Sequence, residues 1–300
     1  MKDLKLIALY YYICECYDTE LRWICHRFSN NSRPVFSDQE CLCIYLYAMI
    51  EEEKFKIKSI HDYADRYLRS WFPTLPSYQA FNTRINRLSE VLAALVRHML
   101  LDLPKEALDL SISLVDSMPI MTCSGRRAGK VAPELTEKGY CSTKKQHYYG
   151  LKLHGIAFQV PGGLPFPEFL ILTPASVHDL SAVKNHFETM KNRKIYADKA
   201  YANEPLNKQL QTQLNSSIFT PIKLKKGQTD WERAFNKAAD ELFSRAVSTV
   251  RQPIEALFAW LIRITDIQRA SLVRSEKGLI AHVFGRLAAA FATKIPKLNP

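Results

Sequence analysis

Apolar positions in the first hundred residues recur with a helical period. From Asp38 onward, Cys41, Ile44, Tyr45 and Ala48 keep that spacing as far as the charged stretch EEEKFK. This predicts a helix that precedes that stretch. A sharper break falls at Phe72-Pro73-Thr74-Leu75-Pro76. Ser77 then stands where an N-cap belongs, and Phe81, Ile85 and Leu88 make an apolar stripe behind it. Residues 1–103 read as an all-helical N-terminal domain.

After Pro104 the period shortens to two. LDLSISLVDS alternates through Leu110, Ile112 and Leu114 and predicts a strand ending at Asp116. YYGLKLHGIAF alternates as well, and the turn VPGGLPFP separates it from EFLILTPAS, which predicts an antiparallel hairpin. HDLSAVKNHFETM reads as a helix, RKIYADKA as a strand, NEPLNKQLQTQL as a helix and SSIFTPI as a strand. The long segment from Asp230 to Ile264 and the segment SEKGLIAHVFGRLAAAFATK read as helices. The order is strand, strand, strand, helix, strand, helix, strand, helix, which is an α/β architecture: a mixed sheet flanked by helices. The expected boundary lies near Leu103 to Glu106, giving a helical domain 1–103 and an α/β domain 104–300.

Composition changes the picture mainly through charge. A content of 47% hydrophobic and 24% charged residues describes a folded globular chain. No apolar run approaches the roughly 18 residues of a membrane helix. The opening is Tyr-rich and runs into acids without a small-residue cleavage site, so the expectation is a cytoplasmic protein with no membrane partner. The seven cysteines include two Cys-x-Cys pairs but no set with zinc spacing, and are expected to be reduced, mostly buried thiols. Of the net charge of +11, residues 1–100 carry only +1 and residues 101–300 carry +10. Such an excess draws polyanions, nucleic acid first among them. In that light the break at residues 72–76 outlines a helix-turn-helix, whose second helix would offer Arg84 and Arg87, beside Gln79, Asn82 and Asn86, to DNA. A plain pair of packed helices has the same outline.

Three acids stand out once the elements are placed. Asp116 ends the first predicted strand and Asp198 ends the fourth, in IYADKAY. Glu255 lies on the late helix, in VRQPIEALFAWLIR, one turn after Arg251. Asp198 alone also suits a helix cap, and Glu255 alone suits a solvated helix face. Together, two strand-borne carboxylates and one on a helix are a donor set for hard divalent cations, which take oxygen ligands.

The strand order and these acids resemble the catalytic domain of DDE transposases, the insertion-sequence branch of the RNase H-like, retroviral-integrase superfamily. The motifs that carry the resemblance are VDSMPI, YYGLKLHG, LTPASVHDL, IYADKAY and RQPIEALFAWL. IALYYYICECYDTELRW and DRYLRSWFPTLPSYQAFNTRINRL extend it over nearly the whole chain. The Arg-x-x-x-Glu spacing of Arg251 and Glu255 is similar to the family's signature around its third acid. Ser248 stands where that signature has Tyr, and Ile262, followed by Arg263, stands where it has Lys.

The resemblance implies a bacterial, nucleoid-associated enzyme that cleaves a phosphodiester at element ends and transfers the freed 3′-hydroxyl into target DNA. It implies Asp116, Asp198 and Glu255 as catalytic residues holding Mg²⁺ or Mn²⁺, two ions in all, with Arg251 in support. The implied partners are double-stranded DNA, as terminal inverted repeats and as target, and a second copy of the chain on that DNA. A nuclease that cuts without joining, or a transposase-derived regulator that only binds DNA, would share the same outline. His178 and Asp179 are read either as supporting the acids or as a cap with a surface neighbour. GRRAGK lacks the spacing and the Ser or Thr of a phosphate-binding loop. It reads instead as a basic loop whose Arg126, Arg127 and Lys130 would grip DNA backbone. Lys144, Lys145 and Lys152 would do the same, as would Lys223, Lys225 and Lys226 of KLKKG.

Overall fold

The structure, a computed structural model, describes residues 2–25, 34–105, 108–126, 129–222 and 230–300, with side chains described throughout except at 230–236. The chain divides into two units. One comprises residues 1–104, 130–134 and 261–300; the other comprises 105–129 and 135–260.

The first unit is helical. Helix α1 (Lys2–Cys16) runs through a π-turn at Tyr17–Leu21 into the short α2 (Arg22–Cys25). It is followed by α3 (Asp38–Glu52), α4 (Ile57–Tyr67), α5 (Tyr78–Arg87) and α6 (Ser89–Asp102). Helix α3 starts at a capping box formed by Ser37 and Glu40, and every residue from Cys41 to Met49 is buried, so it is a central helix. Ser77 caps α5 as its position predicts, and Phe81, Ile85 and Leu88 are fully buried. The segment 68–77 between α4 and α5 is no tight turn, however. It tucks Phe72 and Leu75 into the core, and the His61 ring bonds the carbonyl of Pro76 at 2.8 Å. A helix-turn-helix needs a turn of about three to four residues.

The closing helix, numbered α10 below, spans Glu276–Ala292 and packs against α3 and α6 in this same unit. Its alanines and Gly285 explain the fit. A Cβ at Gly285 would meet the Tyr45 ring at 2.5 Å, so only glycine lets the two helices approach so closely.

The second unit holds the sheet. Its strands are β1 (Asp109–Ser124), β2 (Glu137–Cys141), β3 (Gln146–Gln159), β4 (Phe166–Pro174), β5 (Lys194–Tyr196) and β6 (Ser217–Phe219). The order is β2-β3-β1-β5-β6, with β4 also pairing β3. Strands β1, β3 and β4 form an antiparallel meander, and β5 and β6 run parallel to β1. Helices α7 (Asp179–Phe187) and α8 (Glu204–Leu214) cover one face, where Val183, Phe187, Leu206 and Leu210 pack on Val115, Ile156, Ile195 and Ala197. The long helix α9 (Asp230–Thr265) meets the other face through Ile254 and Phe258. The α/β reading, with a helical region before a mixed sheet flanked by helices, is what the chain adopts. None of the seven cysteines is in a disulfide, and no described helix is long and apolar enough to cross a membrane.

Candidate active site

Strand β1 does not stop at Asp116; it continues for eight residues, so the carboxylate sits in mid-strand. The parallel ladder sets Ser113 beside Ile195 and Leu114 beside Tyr196. Asp116 lies two residues beyond Leu114, and Asp198 lies two beyond Tyr196. Side chains alternate faces with a period of two, so equal offsets send both carboxylates to the same face of neighbouring strands. The alternate residues Val115, Ile195 and Ala197 enter the opposite, apolar face. Asp198 also serves as a cap, its carboxylate accepting from the backbone N–H of Lys199 at 2.6 Å. The two roles are compatible, because a carboxylate has a second oxygen.

Gly155 brings the helix to this face. It is the cross-strand neighbour of Asp116, and a Cβ there would lie 3.1 Å from the Phe258 ring and 3.7 Å from Ile254. The bare backbone admits α9 closely enough for its Arg251 to reach β1. One guanidinium nitrogen of Arg251 donates to Asp116 Oδ2 at 2.5 Å, and the other donates to Glu255 Oε1. The second oxygen of Asp116 accepts from the Ser117 N–H at 2.8 Å. Burial pushes the Asp116 carboxyl up to about 6; Arg251 opposes this, while Asp198 and Glu255 add to it. Arg251 and Asp116 are half-buried, whereas Glu255 and Asp198 are exposed.

A second cluster lies behind Asp116, on the α7 side of β1. Ser117 donates its hydroxyl to Asp179 at 3.1 Å, and Lys152 donates to the same oxygen at 2.8 Å. His154, fully buried, has Nδ1 3.8 Å from Asp179 and its other nitrogen bonded to Thr173 at 2.8 Å. Burial lowers its pKa to about 4 against the pull of the Asp179 charge, so the ring is neutral at neutral pH. Tyr201 is buried with its hydroxyl among Asp179, Asp116 and Asp198, and its pKa is raised, by burial first and by those charges next. Ser117 thus joins the two clusters, its N–H on one and its hydroxyl on the other. His178 is exposed at the N-cap of α7 and makes no capping bond, so of that pair only Asp179 reaches the cluster.

The basic residues divide. Arg126, Lys130, Lys144 and Lys145 are exposed, whereas Arg127, Lys223, Lys225 and Lys226 lie outside the described residues. Lys152 is held by Asp179 with only 15% of its side chain exposed. Arg84 and Arg87 are not on an open face either. Arg87 donates to the buried Asp38 at 2.5 Å and to the Cys25 carbonyl at 3.3 Å, and Arg84 to the Phe36 carbonyl beside the same acid. A buried carboxylate needs such partners, and it draws both guanidiniums inward.

The Transposase DDE domain model matches residues 107–291, well over half of the chain. This protein belongs to the DDE transposase family. Comparisons with curated proteins and with solved structures return no match. The family generally uses divalent metal ions. Among the described residues no three His, Cys, Asp or Glu side chains are gathered tightly enough to hold a metal, because Glu255 is turned to Arg251 and Asp198 to its cap. The donor set nonetheless fits such an ion. All three side chains are carboxylates, and three of them against one guanidinium leave a formal charge of −2. The Arg251 guanidinium already places a positive charge between Asp116 and Glu255.

Sequence reasoning missed Ser117, His154, Gly155 and Tyr201. His154 and Gly155 carried a signal, as a polar side chain and a bare backbone between Leu153 and Ile156. Tyr201 and Ser117 did not, since only the fold brings them to the acids.

Proposed function

We propose that this DDE transposase is the enzyme of an insertion sequence, which hydrolyses a phosphodiester at the element ends and joins the freed 3′-hydroxyl to target DNA. The observation that carries the reading is the equal offset of Asp116 and Asp198 on parallel strands, with Arg251 bridging Asp116 to Glu255. Asp116, Asp198 and Glu255 would hold Mg²⁺ or Mn²⁺, two ions in all. Bound there, such cations supply an activated nucleophile and charge for the leaving oxygen. Arg251 orients Asp116 and Glu255 by donating to both, and its guanidinium would supply positive charge beside the carboxylates that would hold the cations. Asp179, Lys152 and His154 brace Ser117 from behind, which fixes the N–H that holds Asp116. Because two ends are joined, the working state is a dimer on double-stranded DNA.

The test is incubation of the protein with the DNA that borders its own gene, with and without magnesium, followed by transfer from pre-cut ends. Metal-dependent nicking and joining is the expected result. Nicking without joining would make the protein a nuclease, and binding without nicking would make it a regulator.

A further inference from the structure

The first unit contains a groove of about 770 Å³ that the acid site does not use. One wall begins where α3 ends, at Glu53 with a left-handed φ of 49°, and carries Lys54, Lys56 and Lys58. The other begins where α9 ends, at Asp266 with φ 50°, and carries Arg269 and Arg274. Arg286 ties the walls together from below, donating to the carbonyl of Thr265 at 2.9 Å and to that of Phe55 at 3.1 Å. His282 fixes the second wall through the Ile267 carbonyl at 2.9 Å. The lining holds six cations against two acids, Glu53 and Asp266. Lys58 is neutralised by Asp62, Arg286 is spent on the backbone, and Arg274 donates to the Ser271 and Val273 carbonyls of its own wall at 2.9 and 2.8 Å. Lys56 and Arg269 are exposed and make no side-chain hydrogen bond or ion pair to any described residue. The floor is polar as well: Asn82, Asn86 and Tyr78 come from α5, the helix whose Arg84 and Arg87 are turned inward.

We infer that this groove takes one sugar-phosphate strand of duplex DNA, with Lys54, Lys56 and Arg269 on the phosphates and the α5 amides toward base edges. Cations on both walls suit a repeating anion better than a single small one. The inference rests on the transposase reading and locates its end recognition. It replaces Arg84 and Arg87 as the recognition surface, and it draws on chain from both ends of the first unit.

The experiment uses the full chain and a labelled duplex copied from the DNA bordering its gene, with affinity measured by anisotropy over a range of salt. Lys56→Gln combined with Arg269→Gln is compared with Lys184→Gln combined with Lys208→Gln, exposed lysines on α7 and α8. The groove variant is expected to bind about tenfold more weakly, with its salt slope smaller by about 2, since each lost phosphate contact removes about 0.9. The control is expected to bind as wild type, and the melting temperature of both to be unchanged. Wild-type affinity and slope in the groove variant, or an equal loss in the control, overturns the inference while leaving the transposase reading intact. A wild-type protein that neither binds nor nicks any duplex overturns both.

Discussion

Arg251 serves two carboxylates with one side chain, and no other residue type does that in the same space. Its planar fork reaches Asp116 and Glu255 at once, whereas a lysine is a point charge that satisfies one of them. Arg251→Ala would leave Asp116 half-buried with only the Ser117 N–H. The expected loss of stability is about 1–3 kcal/mol, below the range for a fully buried pair because the site is partly solvated. Urea unfolding measures it, and Arg251→Lys should recover only part; full recovery would mean that a single contact matters. The acids themselves answer to chemistry. Asp116→Asn, Asp198→Asn and Glu255→Gln should each lower cleavage by about 10²-fold or more, with the fold retained. One variant that cuts like wild type removes that acid from the set.

His282 gives a pH dependence of stability. Burial first, and the neighbouring Arg286 next, lower its pKa to about 3, against the pull of its bond to the Ile267 carbonyl. Asp266 is the acid whose charge acts on that Arg286. The unfolded chain therefore binds a proton below about pH 6.5 that the folded chain refuses. This contribution is complete above pH 6.5 and is lost as pH falls toward 3, by up to about 1.4 kcal/mol per pH unit. Urea midpoints at pH 7.5, 6 and 5 should fall more steeply for wild type than for His282→Gln. Parallel curves would show that the ring takes up its proton alike in the folded and unfolded chain.

At the scale of elements, Gly155 decides where α9 sits. Gly155→Val improves strand propensity yet places methyls against Phe258, so any destabilisation must come from the helix contact. The expected cost is about 1–3 kcal/mol, with cleavage falling by about tenfold or more as Arg251 and Glu255 shift. Phe258→Leu in the same chain should restore part of both, and the mutant cycle measures the coupling. Strict additivity would show that Gly155 does not set the position of the helix.

The elements also show what the sequence can tell. Strands β3 to β6 are legible because apolar alternation marks a half-buried strand. Strand β2, EKGYC, carries only Gly139 and Cys141 inward and shows no pattern. Strand β1 runs past its expected end at Asp116 and through Pro119. Its β5 neighbour pairs only Ile112 to Leu114, so the edge facing β5 is open by residue 119 and the missing N–H costs no ladder bond there. The three acids were legible as types at particular strand and helix positions. The inward turn of Arg84 and Arg87 was not, because Asp38 lies some fifty residues earlier and helical spacing carries no information about pairs so far apart in sequence.

The whole molecule is built with one unit interrupting the other. Residues 1–104 by themselves lack α10, and the faces of α3 and α6 that α10 covers are rich in Leu, Val and Ala. A 1–104 fragment is expected to show no cooperative melt, and a 261–300 peptide added in trans should restore one. Circular dichroism tests this, and a cooperative melt of the fragment alone would put α10 outside that core. The charge division needs the same correction, since the groove's Arg269, Arg274 and Arg286 come from the second two-thirds of the sequence yet belong to the first unit.

That late return has a consequence during synthesis. The ribosome delivers α1 to α6 first, then the entire sheet unit, and only then the helix that covers α3 and α6. Through more than 150 residues of elongation the early helices wait with an apolar face uncovered, open to chaperones and proteases. The groove walls, split between residues 53–59 and 266–275, meet only after the whole sheet unit has been made. A message broken before codon 261 therefore yields neither a stable helical unit nor a complete groove, whatever the state of its acids. Truncated products of this gene would be cleared or aggregated and would not linger as competitors for the same DNA.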